Sequence, residues 1–268
     1  GMLSVVPILA TYPQIVTLDL GSNDLSDGSI QHLVHLIKLG SLKSLQIGHL
    51  DPSIQACRFT RLGFSAVLNE VTEQNTLQCF GFSAICDPDD RKAPPTFNFA
   101  HRISQLISKC TNLRTLDMST QHLTKESDVE LSYGFKHSQL RYLRISNNPF
   151  KDVPLLVNSI FSIQTLRYLD ISKCNLGYQS ALEIANLLQK DISLITLKAN
   201  HNLFGTNGVI AILNSLVKNT HLVNLDLSHC SADKNVAQSL ADLISKNEII
   251  SEISIGGTPL DDSSSYIV

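Results

Sequence analysis

The sequence predicts an α/β solenoid, in which short parallel strands and helices alternate along a curved, right-handed coil. Three observations lead to this prediction. One apolar pattern occurs nine times, its last four copies start 28 residues apart, and stretches with helical periodicity separate those copies. A unit of this length cannot bury its own hydrophobic face, so neighbouring units must stack. The copies begin at Ile15, Leu42, Leu77, Leu113, Leu140, Leu166, Leu194, Leu222 and Ile250.

Each copy is predicted to contain a short strand. Apolar residues occupy relative positions 1, 4 and 6, as in Leu166, Leu169 and Ile171. Side chains alternate along a strand, so positions 4 and 6 point to one side of a sheet and positions 3 and 5 to the other. The sequence therefore predicts one buried face and one open face. The open face, formed by positions 3 and 5, is called the strand face below.

A helix is predicted to follow the strand in the regular copies. Apolar residues recur there at spacings of three and four, which places them on one stripe of a helix. Thr206, Asn207 and Gly208 precede one such stretch and are expected to turn the chain and cap the helix. The two clearest stripes are Val209, Ile212, Leu213, Leu216 and Val217, and then Val236, Leu240, Leu243 and Ile244.

The clearest copies, Leu166–Leu176, Leu194–Phe204 and Leu222–Cys230, resemble the leucine-rich repeat. Their length and full helix are similar to the ribonuclease-inhibitor-like subfamily, which also occurs in intracellular immune receptors, a class of GTPase activators and some bacterial effectors. The resemblance extends over Ile15 to Leu260. It implies a horseshoe with parallel strands on the concave face and helices on the convex face, acting as a protein-binding module.

Length and composition are consistent with one elongated repeat domain. The 268 residues are 43% hydrophobic, enough for a long continuous core. We expect an N-terminal cap over 2–14, nine repeats over 15–260 and a polar tail over 261–268. The net charge of −3 argues against a nucleic-acid partner, and no apolar run is long enough to span a membrane.

The cysteines indicate core packing rather than disulfides or a metal. Cys174 and Cys230 occupy position 9, where other copies carry Asn148 and Asn202. A buried thiol can replace a buried amide there. No C-x-x-C pair supports a zinc site, and no catalytic motif is complete, so we expect reduced thiols, a cytosolic location, no cofactor, no metal and no enzymatic activity.

Position 5 carries charges of alternating sign. Neighbouring parallel strands lie about 4.8 Å apart, so opposite charges there can pair laterally. Two interpretations follow: the row satisfies itself, or it orients a bound partner. The alternating residues are Asp117, Arg144, Asp170, Lys198 and Asp226.

Two tyrosines on the strand face are the strongest candidates for partner binding. Tyr142 and Tyr168 share position 3 of consecutive copies, with Arg144 beside them, and Tyr and Arg often dominate interfaces. Packing of the two rings on each other without a ligand is the alternative. His201 and His229 share position 8 and are predicted to stack. The full candidate site is Tyr142, Arg144, Tyr168, Asp170, Lys198, His201, Asn224, Asp226 and His229.

Two insertions provide a second candidate site. The starts at Leu42, Leu77 and Leu113 are 35 and 36 residues apart, and the surplus falls between strand and helix. Insertions at equivalent points of adjacent repeats emerge on the same edge. The candidate residues in the second insertion are Asp87, Asp89, Asp90, Arg91 and Lys92.

These observations predict a non-catalytic module that recognises another protein through the strand face. A bacterial effector acting in a host cytosol is the setting that the resemblance suggests if the source is a bacterium. The alternative is a regulator of enzyme activity, such as a GTPase-activating or inhibitor scaffold, that uses the inserted loops. The identity of the partner and the oligomeric state stay open.

Overall fold

The computed structural model describes residues 8, 9, 11, 12, 14–48, 57–85, 98–121, 123, 127–150, 154–190 and 193–260. The second candidate site, at Asp87, Asp89, Asp90, Arg91 and Lys92, lies outside the described residues. Most of the predicted N-terminal cap and the whole predicted tail lie outside them as well.

Short strands and helices alternate along the chain. The strands are β1 Thr17–Asp19, β2 Leu25–Ser26, β3 Ser44–Gln46, β4 Cys57–Arg58, β5 Cys79–Gly81, β6 Thr115–Asp117, β7 Tyr142–Arg144, β8 Tyr168–Asp170, β9 Thr196–Lys198, β10 Asn224–Asp226 and β11 Glu252–Ser254. The α-helices are α1 Ile30–Lys38, α2 Arg61–Gln74, α3 Phe99–Lys109, α4 Ser127–Lys136, α5 Pro154–Phe161, α6 Tyr178–Leu188, α7 Gly205–Leu216 and α8 Ala237–Lys246.

The chain divides into two compact units. In the first, residues up to 123 with 130–140, the parallel strands run in the order β1-β3-β5-β6. In the second, 124–129 with residues from 141 onward, they run β7-β8-β9-β10-β11. Sequential order and parallel pairing confirm the predicted α/β repeat fold, because each strand neighbours the next one along the chain.

The register of the strands is the predicted one. In the second unit, position 4 of each repeat pairs with position 4 of the next, from Leu143 through Leu169, Leu197 and Leu225 to Ile253. The first four of these side chains are at most 2% exposed. Burying a leucine side chain fully contributes about 1.5 to 3 kcal/mol, so this row is a main part of the core.

Position 9 is part of the core, as predicted. Asn202 is fully buried, and its amide donates to the carbonyls of Ile171 and Ala199, at 2.9 and 2.8 Å. Its carbonyl oxygen accepts the backbone N–H of Cys174 at 3.0 Å. The amide therefore joins two successive repeats. Cys174 packs in the equivalent place one repeat earlier.

Two expectations about the last helices were wrong. Thr206, Asn207 and Gly208 lie inside α7, which begins at Gly205, rather than in a loop before it. Gly208 is required for packing, because a Cβ there would lie 2.8 Å from the Cβ of Ala181. Ile244 was predicted to be part of the buried stripe of α8, but its side chain is 51% exposed.

A second, two-stranded sheet follows the first insertion. Strand β4 pairs in parallel with β2, so the chain returns to the edge of the first repeat. Asp24 accepts two hydrogen bonds from Arg58, at 3.0 and 2.6 Å, and Asp27 accepts two from Thr60, at 2.8 and 2.7 Å. These contacts fix where α2 begins.

Candidate functional site

The predicted tyrosine pair forms on the strand face of the second unit. Tyr142 and Tyr168 are directly paired across β7 and β8. Their rings are stacked, with centroids 4.0 Å apart and planes 6° from parallel. The stacking leaves each side chain half-buried rather than exposed, because each ring covers one face of the other. The pair therefore offers a two-ring surface with a fixed geometry.

The phenol of Tyr168 is held protonated. Burial raises the pKa of Tyr168 above its usual value, as do a hydrogen bond with the Tyr142 side chain and the charge of Asp170. The nearby guanidinium of Arg144 lowers the pKa only in part. The Tyr168 hydroxyl consequently remains a neutral hydrogen-bond donor and acceptor at any physiological pH.

The acidic residues at position 5 have a structural role that the sequence analysis missed. Asp170 is 6% exposed, and its Oδ1 accepts the backbone N–H of Ser172 at 3.0 Å. Asp226 accepts the N–H of Ser228 in the same way, also at 3.0 Å. Such a bond to the backbone two residues on closes the turn that follows the strand. The signal was present in the sequence as Asp followed two residues later by Ser.

The predicted lateral charge ladder forms only in part within this unit. Nε of Arg144 lies 3.5 Å from Oδ2 of Asp170. The second carboxylate oxygen of Asp226 instead accepts from the Asn200 side chain at 2.7 Å. Lys198 is exposed and has no ion-pair partner among the described residues. The unit thus presents an unpaired ammonium group beside carboxylates that are already occupied.

A depression of about 310 Å³ lies beside the tyrosine pair. Tyr168, Lys198 and Glu252 contribute the accessible chemistry of its wall. Asn224 also lines it and donates to the Thr196 hydroxyl at 3.2 Å. Thr196 and Glu252 were not among the predicted site residues, although both occupy position 3 of their repeats. The other lining residues are Leu197, Leu225, Asp226 and Ser254.

The predicted histidine pair stacks at the edge of the strand face. The rings of His201 and His229 have centroids 4.5 Å apart and an angle of 31° between their planes. Desolvation lowers the pKa of His201, as do the neighbouring His229 and Lys173, while Asp226 partly opposes them. Among the described residues, no three His, Cys, Asp or Glu side chains form a group that could hold a metal ion.

The cysteines of the described part of the chain are free thiols. Burial raises the pKa of Cys174 to about 12 and that of Cys230 to about 11. Each Sγ donates to a backbone carbonyl, to Ile145 and Ala199 respectively, at 3.4 Å. Cys86 lies outside the described residues. Thiols in this state are poor nucleophiles, because the thiolate is the reactive form.

Comparison with known proteins is consistent with this repeat architecture. A family described as "Leucine Rich repeat" matches residues 162–185, which include β8 and most of α6. The fold is that of a leucine-rich-repeat protein. The match falls on one of the three copies that the sequence analysis found clearest. The ribonuclease-inhibitor-like subtype stays a prediction.

Relatives of the repeat region are distant in sequence. The chain is 23% identical over 265 residues to mouse NACHT, LRR and PYD domains-containing protein 14, covering 96% of this chain and 25% of that protein. The chain thus spans about a quarter of the length of this relative. In the described part of the chain, no helix is long and apolar enough to cross a membrane.

Two solved structures share the fold. A chain of the yeast Rad7 and Elc1 complex superimposes with a TM-score of 0.61 and 18% identity, covering 97% of this chain and 68% of that one. Internalin C2 of Listeria monocytogenes superimposes with a TM-score of 0.53 and 18% identity, covering 91% and 83%. At this identity the likeness concerns the fold alone.

Proposed function

We propose that this chain is a non-catalytic module that binds a partner protein through the strand face of its second unit. The observation that carries the proposal is the stacked pair of Tyr142 and Tyr168 beside an open depression. Repeat solenoids present long surfaces of this kind. The fold of the chain and its likeness to a chain from a protein complex support the same conclusion.

The tyrosine pair has the properties of an interface anchor. Aromatic rings provide a large apolar area, and burying one against a partner orders only two torsion angles. Here the rings already fix each other at 4.0 Å, so binding has less side-chain entropy to remove. The protonated Tyr168 hydroxyl can donate a hydrogen bond to the partner.

The charges around the pair orient the partner. Lys198 is free to pair, whereas Asp170 and Asp226 are engaged by backbone N–H groups. Glu252 lies across the same depression, on the second strand beyond β9. A partner segment that carries an acidic group near Lys198 and a basic group near Glu252 matches this surface. Such complementarity contributes to specificity and to the association rate more than to affinity.

The proposed setting is the cytosol, and the cytosol of a host cell if the chain is a translocated bacterial effector. Free, buried thiols support a reducing compartment. The alternative function, a regulator of enzyme activity that acts through the inserted loops, depends on Asp87, Asp89, Asp90, Arg91 and Lys92. Those residues lie outside the described part of the chain, so the strand face has the stronger structural support.

The test is partner capture followed by titration. The wild-type chain, immobilised by its N-terminus, is used to isolate partners from cytosol. The captured partner is then titrated against the double variant Tyr142→Ala, Tyr168→Ala. Loss of two anchors at the centre of an interface costs at least about 2 kcal/mol, so we expect affinity to fall by about 30-fold or more.

Tyr178→Ala is the matched control. Tyr178 is 44% exposed, belongs to the same unit and lies on a helix rather than on the strand face. The control is expected to bind normally. Unchanged affinity in the double tyrosine variant, with its fold intact by circular dichroism, would refute binding through the strand face.

A further inference from the structure

The last repeat leaves positions uncovered that every preceding repeat of the second unit buries. Leu188 and Leu216 occupy one helical position in successive repeats and are 0% and 1% exposed. Ile244, 28 residues further on, is 51% exposed. The same holds in the sheet, where Leu225 is 2% exposed and its equivalent Ile253 is half-buried. An apolar end face therefore extends from α8 to β11.

Strand β11 is also an open edge. It pairs with β10 on one side, and among the described residues no strand pairs with its other side. The backbone N–H of Glu252 and the carbonyl of Ser254 point toward β10, where they bond Val223 and Leu227 at 3.1 and 2.8 Å. Because successive residues of a strand alternate in direction, the backbone groups of Ile253 point outward. They are available to another strand.

We propose that a second copy of this chain docks on this end face, with the two β11 strands paired antiparallel about a two-fold axis through Ile253. In this arrangement the two Ile253 residues exchange both of their free backbone hydrogen bonds. Each Glu252 then lies opposite a Ser254 of the other copy. No like charges face each other across the strand pair, and each serine hydroxyl can donate to a carboxylate.

The same two-fold axis also covers the helical part of the end face. Because the axis is perpendicular to the sheet, both copies place α8 on the same side of the joined sheet. The two helices then run antiparallel and bring Ala241 and Ile244 of one copy against those of the other. The charged pair on this helix, Lys246 with Asp242 at 3.6 Å, is neutralised within its own copy. Nothing in the helix contact forces like charges together.

A second copy matches this face better than an unrelated strand does, because the match is isologous. Each copy supplies the apolar position, the free backbone groups and the complementary Glu–Ser pair that the other lacks. Closed two-fold symmetry is the commonest form of oligomer for this reason. The inference does not depend on the proposed function, because the strand face around Tyr142 and Tyr168 stays open in the dimer.

The first test is the mass of the full chain in solution by sedimentation velocity, up to about 100 µM. We expect a concentration-dependent dimer. Ile244→Glu places a charge on the end face and is expected to give a monomer. Leu203→Glu is the matched control, because Leu203 is 58% exposed in the same unit but away from the end face, and this variant is expected to dimerise normally.

The second test checks the register by charge. Ser254→Glu places two like-charged pairs opposite each other and is expected to weaken dimerisation by about 10-fold. Ser254→Lys is expected to strengthen it, and the double variant Glu252→Lys, Ser254→Glu is expected to restore it. Neither side chain is buried, so folding should not change.

Two results would overturn the inference. One is a monomer at every concentration, which is also what residues 261–268 would give if they covered the edge themselves. The other is a dimer that is insensitive to both Ile244→Glu and Ser254→Glu, which would place the contact elsewhere on the molecule.

Discussion

At the scale of single residues, the repeat depends on a left-handed residue after each strand. Position 8 has a positive φ in every repeat whose position 8 is described, from Ser22 at 60° to Gly257 at 76°. Most of these residues carry a Cβ, for which the left-handed region costs about 1 to 2 kcal/mol. The residues between them are Ala84, Thr120, Asn147, Lys173, His201 and His229, at φ between 51° and 56°.

Lys173 provides a test of this backbone strain. Its φ is 56° and its side chain is exposed. We expect Lys173→Gly to be more stable than Lys173→Ala by about 1 kcal/mol, because only glycine relieves the left-handed strain. Both variants remove the same charge, so the comparison isolates the backbone. The measurement is urea denaturation, and equal stability of the two variants would contradict the assigned backbone conformation.

The position-5 residues show how much of the site the sequence could predict. Repeat numbering placed Tyr142 beside Tyr168 correctly, because register follows directly from equal spacing. It did not reveal that Asp170 and Asp226 bind backbone N–H groups. Residue type alone does not distinguish a carboxylate that closes a turn from one that pairs with a neighbouring strand. The free state of Lys198 follows from that competition.

At the scale of elements, the strands were predictable and the helix starts were less so. A strand of three residues is fixed by the apolar residues at positions 1, 4 and 6, all of which are local in sequence. The start of α7 depends on Gly205, whose φ of 67° turns the chain one residue earlier than the Thr206–Gly208 cap that we predicted. The β2–β4 sheet was missed because it pairs residues more than 30 positions apart across an insertion.

Leu197 tests the assignment of the core. It is 0% exposed in β9, between β8 and β10. We expect Leu197→Ala to lower the free energy of unfolding by about 2 to 5 kcal/mol, because the surrounding repeats cannot collapse fully into the cavity. The neighbouring Lys198→Ala changes a residue on the strand face and is expected to cost less than about 0.5 kcal/mol. Equal costs in chemical denaturation would mean that the strand faces are reversed.

At the scale of the whole molecule, stability is carried between nearest neighbours. In a repeat protein, each unit is stabilised by its own interactions and by the interfaces with the units beside it. The sequence showed that no helix-period stretch separates the ninth strand from Leu260, and therefore predicted an exposed last strand. The sequence did not show that Ile244 of the preceding helix would lose its cover too, because burial depends on a neighbour rather than on the apolar pattern.

The last prediction follows from this one-sided support of the end repeat. The same backbone hydrogen bond recurs in three successive strands: Glu252 N–H to Val223, Asn224 N–H to Ile195 and Thr196 N–H to Arg167, at 3.1, 3.0 and 3.0 Å. Since the three bonds have nearly equal geometry, differences in their amide exchange report local unfolding. We expect exchange to slow inward, with Glu252 about 1,000-fold faster than Thr196 in a dilute, monomeric sample.

Native-state hydrogen exchange measured by NMR provides the comparison, and Asn224 should be intermediate. The dimer adds a condition that the monomer lacks. Raising the protein concentration should slow exchange at Glu252 and at Ile253, because both then lie inside a continuous sheet, and it should leave Thr196 unchanged. Equal protection at all three positions in the dilute sample would show that the second unit unfolds as one cooperative block, with no weakness at its last repeat.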